Sequence, residues 1–359
     1  MSFFQRTADL ERIHPMTSLP TRPLRRTLLK LALALSILPA GGLGPVLAGE
    51  AKPEVIRIGS TAPGHLKFIL FRNKKLLENE FAKDGIKIEL MTFDGGSAAT
   101  VALGSGALDF TYIGNNPSLR LAATGADVKL IGLSSWNRSN ETQIVVKPDS
   151  PIRKIEDLKG KKVAYLSGTV RHSTFAKALK SAGLSINDVE SLNLGIESSG
   201  PALARGDVDA IVESTGPVQK LVEEGQARVI FDAGVSGSPD WAVPHLVSVN
   251  SDFARKYPEI VIRLLAVDIA AARWADANPE ETIAIFVKET GNSDKAVRAT
   301  YPDGAFFQDP EIAEDAVRAL KGEEAFMADA GLLKGKVDYA TWIDRSFHDA
   351  AIKRLAAGN

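Results

Sequence analysis

Short apolar runs alternate along this chain with stretches in which apolar positions return every three or four residues. Residues 55–59, 86–93, 110–113, 128–133, 143–146, 162–166, 210–213 and 228–231 read as strands, with Ile86, Ile88 and Leu90 sharing one face. Residues 67–83, 97–103, 117–123 and 173–181 read as helices, and residues 156–160 as a short helical turn. Asn116 stands as N-cap before Pro117, with Gly125 past the end of that helix, and Gly183 closes the helix over 173–181. From Ser251 onward the pattern is almost all helical. Strand and helix in turn predict an α/β fold with mainly parallel sheets and helices on their faces.

One pattern occurs twice. Leu103-Gly-Ser-Gly106-Ala-Leu-Asp109 and Leu203-Ala-Arg-Gly206-Asp-Val-Asp209 share Leu-x-x-Gly-x-x-Asp. Each leads from a helix end into a short apolar strand. Each strand is followed by a small polar loop and a proline-started helix, Gly114-Asn115-Asn116-Pro117 and Ser214-Thr215-Gly216-Pro217. The repeat predicts two related lobes. The helical tail lacks the strands of a third lobe, so it is expected to pack back on the first. The expected division is a leader at 1–48, lobe I at 49–143, lobe II at 144–247 and a mainly helical second part of lobe I at 248–359. Crossover strands are expected near 142–147 and 245–250.

The amino terminus reads as an export signal. Arg22, Arg25, Arg26 and Lys30 precede an apolar run at 31–38, shorter than the roughly 20 residues of a membrane-spanning helix. Pro39, Gly41, Gly42, Gly44 and Pro45 break any helix, and Val46-Leu47-Ala48 offers small residues for cleavage after Ala48. Arg25-Arg26-Thr27-Leu28-Leu29 is similar to a twin-arginine signal, with Leu28 where that pattern prefers Phe; Sec export is the other route, and Met16 is a second candidate start. Removal of 1–48 takes away six basic and two acidic residues and leaves a formal charge of −5. An exported protein of this kind is expected in the periplasm.

Composition narrows the chemistry. With 359 residues and 45% apolar content the chain can bury a large core, and a formal charge of −1 gives no basic field for nucleic acid. It has no cysteine, which excludes disulfides, thiolate metal sites, thiol nucleophiles and a lipoprotein anchor. Its five histidines show no metal-ligand spacing, and no Gly-x-Ser-x-Gly elbow, P-loop or dinucleotide fingerprint is present. No cofactor and no catalytic residue is expected.

Five strands instead end in small polar residues just before a helix: Ser60-Thr61, Asp94-Gly95-Gly96-Ser97, Gly114-Asn115-Asn116, Ser167-Gly168-Thr169 and Ser214-Thr215-Gly216. Open α/β sheets bind ligands at this edge, and the first-turn N–H groups of a helix favour oxyanions. Such residues also serve as ordinary caps, so one loop carries little; three or more converging on one cleft would specify a ligand site. Arg171-His172 follows one of these loops and could face the ligand, and Glu213 adds a carboxylate beside Ser214.

The segment Ser150-Pro-Ile-Arg-Lys-Ile-Glu-Asp-Leu-Lys-Gly-Lys-Lys-Val163 resembles the lobe-crossing segment of the nitrate/sulfonate/taurine substrate-binding proteins of ABC transporters. Phe93-Asp-Gly-Gly-Ser97, Ala102 to Asp109, Ala122 to Asp127 and Leu203 to Ala210 are similar to that family in order and spacing, over about residues 55–231. The resemblance implies a type II two-lobed periplasmic binding protein with a ligand cleft between its lobes. It implies capture of a small organic anion, an aliphatic sulfonate or taurine-like compound, by a monomer that delivers it to an inner-membrane ABC permease with a cytoplasmic ATPase. By position it implies ligand contacts from Ser60, Gly96, Ser97, Asn115, Asn116, Ser167, Gly168, Thr169 and His172, joined by Glu213 and Ser214. Aliphatic-sulfonate binders often carry Trp-Asp-Pro where this chain has Ser214-Thr215-Gly216, which with Glu213 beside it leaves room for a ligand with a cationic or hydroxylated part. The alternatives are an enzyme on the same fold, such as a thiamine-pyrimidine synthase, or a binder of a pyrimidine, nitrate or an aromatic acid.

Overall fold

A computed structural model describes residues 52–61, 66–137, 142–236, 241–300 and 310–358. The leader, its cleavage site and His65 lie outside the described residues. The first lobe begins with β1 (Val55–Ser60), α1 (Leu66–Lys74), α2 (Leu76–Phe81), β2 (Lys87–Thr92), α3 (Gly96–Gly104), β3 (Phe110–Gly114), α4 (Asn115–Ala123) and β4 (Val128–Asn137). The single helix expected over 67–83 is broken at Lys75, whose left-handed φ of 51° turns the chain between α1 and α2. The second lobe contains β5 (Thr142–Val146), β6 (Lys162–Tyr165), α5 (Val170–Ser181), β7 (Glu190–Asn193), α6 (Ile196–Arg205), β8 (Ala210–Ser214), α7 (Thr215–Glu223) and β9 (Arg228–Asp232). The chain then returns as β10 (Val243–Asn250). The tail follows as α8 (Ser251–Lys256), α9 (Pro258–Ala277), α10 (Pro279–Thr290), α11 (Asp294–Thr300), α12 (Glu314–Asp329), α13 (Tyr339–Trp342) and α14 (Ser346–Ala356).

The strand orders are β2-β1-β3-β10-β4 and β7-β6-β8-β5-β9, one plan used twice. The first three strands of each order are parallel, but β10 is antiparallel to β3 and β4, and β5 to β8 and β9. Four strands of each sheet therefore run the same way, the mainly parallel arrangement expected, with one reversed strand between two of them. The reversed strand in each is the one by which the chain arrives from the other lobe. Both β5 and β10 lie wholly inside a sheet.

The repeated motif does the same work in both lobes. Gly106 (φ 75°) and Gly206 (φ 83°) take the left-handed turn that ends α3 and α6. Asp109 then accepts the backbone N–H of Arg57 on β1 at 2.7 Å, and Asp209 accepts that of Lys162 on β6 at 2.9 Å. Each Asp thus fixes the entry of the third strand against the first.

Period-two alternation explains the buried strands. In lobe II, Ile144, Val146, Val163, Tyr165 and Val212 face one layer with Phe175 and Leu179, while Val145, Ala164 and Ile211 face the other with Leu203 and Val218. In lobe I, Leu264, Leu265 and Ile269 of α9 share a core with Ile56, Ile58 and Phe110, and α12 puts Leu320 against Leu119, Leu130 and Leu133. The tail packs on the first sheet. Trp136 is part of that core. Among the described residues no helix is long and apolar enough to cross a membrane, and no cluster of three or more His, Asp or Glu could hold a metal ion.

Candidate functional site

The polar loops gather where the lobes meet. A Cβ on Gly114, at the end of β3, would lie 3.2 Å from Val170 Cγ2 on the first turn of α5. Arg120 of α4 donates through Nη2 to the carbonyl of Gly168 in the β6–α5 loop. A Cβ on Gly96 would overlap the Pro117 ring, so the glycine lets the amino termini of α3 and α4 abut. The loops after β2, β3 and β6 therefore form one neighbourhood built from both lobes.

The N-cap residues of the helices that start there form no side-chain cap, although on α4 the Asn115 side chain takes the Asn116 N–H. Gly95, Gly114, Thr169 and Ser214 precede α3, α4, α5 and α7 in extended conformation, and none accepts a first-turn N–H through its side chain. Of the other described helices, α8 has such a cap, Asn250 Oδ1 accepting from Phe253 N at 3.2 Å, while α6, α9, α10, α12 and α14 have none. Thr169 turns its hydroxyl to the Leu166 carbonyl at 2.7 Å, and the Ser214 hydroxyl accepts from Arg171. The expected N-cap Asn116 is instead the second residue of α4, behind Gly114. First-turn N–H groups carry partial positive charge, so these ends suit an anion.

The expected ligand residues divide by what they already hold. Ser60 is buried at the end of β1, opposite Thr92 and Tyr112. Ser97 is exposed on the first turn of α3, and its carbonyl accepts from Thr100 at 2.9 Å. Asn115 is buried and accepts the Asn116 N–H at 2.9 Å. Asn116 points its amide to Glu323 of α12 at 2.9 Å, so it braces the loop. Ser167 donates its N–H to Asn193 at 2.9 Å. Gly168 (φ 74°) donates its N–H to His172 Nδ1 at 3.1 Å, which leaves the proton of the neutral ring on Nε2. Burial, then the charge of Arg120, holds the His172 imidazolium below its ordinary range, so the ring is a neutral donor.

Glu213 and Arg171 form the charged centre of lobe II. Glu213, buried on β8, ion-pairs through Oε2 with Arg171 Nε at 2.9 Å and accepts from Ser199 Oγ at 3.1 Å. Arg171 Nη2 also donates to Ser214 Oγ at 3.0 Å. Burial raises the Glu213 carboxyl pKa, and Arg171 opposes that. His245 on β10, opposite Gly114 in the register, is pushed down to about 4 by burial and by the Arg171 charge. Arg171 was visible in the sequence only as a residue after a loop; its pairing with Glu213 has no local signal.

A family model described as NMT1/THI5 like matches residues 80–282, more than half of the chain. The chain belongs to the NMT1/THI5-like family. An Escherichia coli (strain K12) protein named as an aliphatic sulfonates-binding protein is 29% identical over 266 residues, 74% of this chain and 80% of its own length. The taurine-binding periplasmic protein of the same organism is 30% identical over 231 residues, 63% of this chain and 69% of its own. The alkanesulfonate-binding protein SsuA of Xanthomonas axonopodis pv. citri, solved with MOPS bound, superposes with a TM-score of 0.72 at 23% identity, over 82% of this chain and all of its own. That likeness shows the fold, a two-lobed periplasmic binding protein. The fold also carries enzymes: the desulfurization enzyme DSZB superposes at 0.68 with 19% identity, over 84% of this chain and all of its own. Both Escherichia coli relatives are named as binding proteins.

In this NMT1/THI5-like chain side chains bridge the lobes. Glu323 of α12, 5% exposed, accepts from Asn116 on its own lobe and from Ser173 and Lys177 of α5 on the other, Lys177 at 2.5 Å. Lys180 pairs with Asp329 at 2.9 Å along the same seam. Between other helices of the two lobes, Ser293, just before α11, donates to Glu223 of α7 at 2.9 Å. Sequence spacing gave no sign of Glu323, because its partners come from distant helices.

Proposed function

We propose that this protein is the exported substrate-binding component of an ABC importer and that it captures a small organic anion, an aliphatic sulfonate or a taurine-like compound. The observation that carries the reading is the set of four helix amino termini, two from each lobe, whose N-cap residues take no first-turn N–H through a side chain. A sulfonate stays ionised at neutral pH, offers three acceptor oxygens and has no proton to give, so its site must consist of donors. Backbone N–H groups at helix ends and a neutral His172 are donors of that kind. Sulfonate- and taurine-binding relatives support the same class.

Two lobes joined by two passages close on a ligand as a hinge, because contacts to both lobes exist only in the closed form. The closed monomer then presents its cargo to an inner-membrane permease driven by a cytoplasmic ATPase. Export follows from residues 1–48, and periplasmic protein should begin at Gly49. The ligand-facing set proposed is Gly96, Ser97, Asn115, Gly168, Thr169, His172 and Ser214, with Ser60 beneath them. Titration of the mature chain with ethanesulfonate and taurine in a calorimeter, beside native mass spectrometry of protein as purified, tests the reading. Micromolar binding of either sulfonate, recovered unchanged, is expected. No binding of either, or conversion of the ligand, would contradict it.

A further inference from the structure

We infer that Arg171 is the charge-bearing contact for the ligand's anionic head and that Glu213 is its positioning residue, so that recognition in lobe II needs no cationic group on the ligand. This rests on the reading of the interlobe cleft as an anion site. It departs from the expectation that Glu213 meets a ligand directly.

Four observations carry it. Both oxygens of the Glu213 carboxylate face protein groups: Oε2 lies 2.9 Å from Arg171 Nε as an ion pair and Oε1 accepts from the Ser199 hydroxyl. The Glu213 side chain is 2% exposed, against 20% for Arg171, so of the pair the guanidinium is the more accessible to a ligand. Arg171 donates one Nη2 proton to Ser214, while its Nε lies against Glu213 Oε2 as an ion pair without a hydrogen bond, so the Nη1 protons and the second Nη2 proton remain in a fixed plane suited to two oxygens of an oxyanion. Its location is between the lobes: its neighbour Val170 lies against Gly114, and His245 of lobe I is within reach of its charge. A neutral pair of this kind accepts a monoanion without leaving a second buried positive charge, and an ammonium group would find Arg171 in its way.

The test uses the mature protein and the variants Arg171→Gln, Arg171→Lys, Glu213→Gln and the double variant Arg171→Gln/Glu213→Gln. Each is titrated with ethanesulfonate, taurine, propionate, sulfate and nitrate, after a check of its thermal unfolding. Arg171→Gln should weaken ethanesulfonate roughly ten- to a hundredfold, the loss expected for hydrogen bonds to a charged group. Arg171→Lys should recover only part, since an ammonium cannot hold Glu213, Ser214 and an oxyanion in one plane. The double variant removes the unpaired buried carboxylate, so it should fold and still bind as weakly as Arg171→Gln. Glu213→Gln should change ethanesulfonate and taurine by the same factor. A double variant that binds like wild type overturns the role of Arg171. Selective loss of taurine in Glu213→Gln overturns the positioning role, because the carboxylate would then meet an ammonium. Wild type that ignores sulfonates but binds another anion of the panel through Arg171 sinks the sulfonate reading and leaves this one standing. Wild type that binds none of the panel overturns both.

Discussion

Replacing Glu323 by Gln should loosen the closed arrangement of the lobes without unfolding either. The wild-type carboxylate takes two donors from lobe II, Ser173 and Lys177, and one from lobe I, Asn116. Opening the lobes breaks the two lobe II bonds and returns Glu323 and Lys177 to water. Hydrogen bonds to a charged group contribute about 1.5–3 kcal/mol each, and desolvation of a nearly buried carboxylate takes back much of that. A net preference for closure of about 1–2 kcal/mol remains, a shift of roughly five- to thirtyfold in the closed-to-open ratio. Gln keeps the shape, yet it turns an amide N–H toward Lys177 or surrenders one acceptor. Ligand affinity should fall by the same factor, since binding draws on the closed form. The chain has no native cysteine, so spin labels can be placed at will. Val101 on α3 of lobe I and Val235 beyond β9 of lobe II are 71% and 82% exposed and suit the purpose. Pulsed electron-spin distance measurements on Val101→Cys/Val235→Cys should show a wider distribution when Glu323→Gln is added. Unchanged distances together with unchanged affinity would refute the reasoning.

Other outcomes are expected from the same structure. Asp268 of α9 ion-pairs with Lys67 and accepts from Tyr112 at 2.9 Å, all three buried, so Asp268→Asn should leave a buried lysine and cost about 3–5 kcal/mol in urea unfolding. His245, with a folded pKa of about 4, should lower stability as pH falls: the unfolded imidazole gains its proton near 6.5 and the folded one does not. The contribution is complete above about pH 6.5 and shrinks toward pH 4, by up to about 3 kcal/mol. His245→Gln should flatten that limb of the urea midpoint against pH, and an unaltered limb would contradict the assignment. Gly96→Ala should push α3 off Pro117, with a loss of about 1–3 kcal/mol and weaker binding by calorimetry, whereas Gly95→Ala, with open space around it, should do little.

Much of the fold was legible because it rests on local and periodic signals. The Leu-x-x-Gly-x-x-Asp repeat announced two lobes, and each Asp ties the third strand to the first in both. The apolar run Ile144, Val145 and Val146 marked a strand buried on two faces. What escaped was long-range. The one reversed strand of each sheet has no local signal, since nothing in β5 or β10 says that each is threaded back into its sheet from the other lobe. The site was legible as loops but not as contacts. Small polar residues marked strand ends that the structure brings near one another, yet Asn116 braces Glu323 and the Thr169 hydroxyl serves the Leu166 carbonyl. A side chain's partner is set by tertiary packing, and neither composition nor spacing encodes it. Arg171 gained its meaning only when Glu213 and Ser214 were seen beside it.

The central claim is that a sulfonate rests on helix amino termini from both lobes. A crystal structure of the mature protein with ethanesulfonate, read by the anomalous signal of sulfur, tests it most directly. With no cysteine and four methionines in the whole chain, the ligand sulfur stands out. A sulfur peak is expected between Gly96–Ser97 and Asn115 on one side and Gly168–Arg171 on the other, with its oxygens in hydrogen-bond reach of first-turn N–H groups and of Arg171. A peak elsewhere on the chain, or oxygens held by neither lobe's helix ends, would contradict the account.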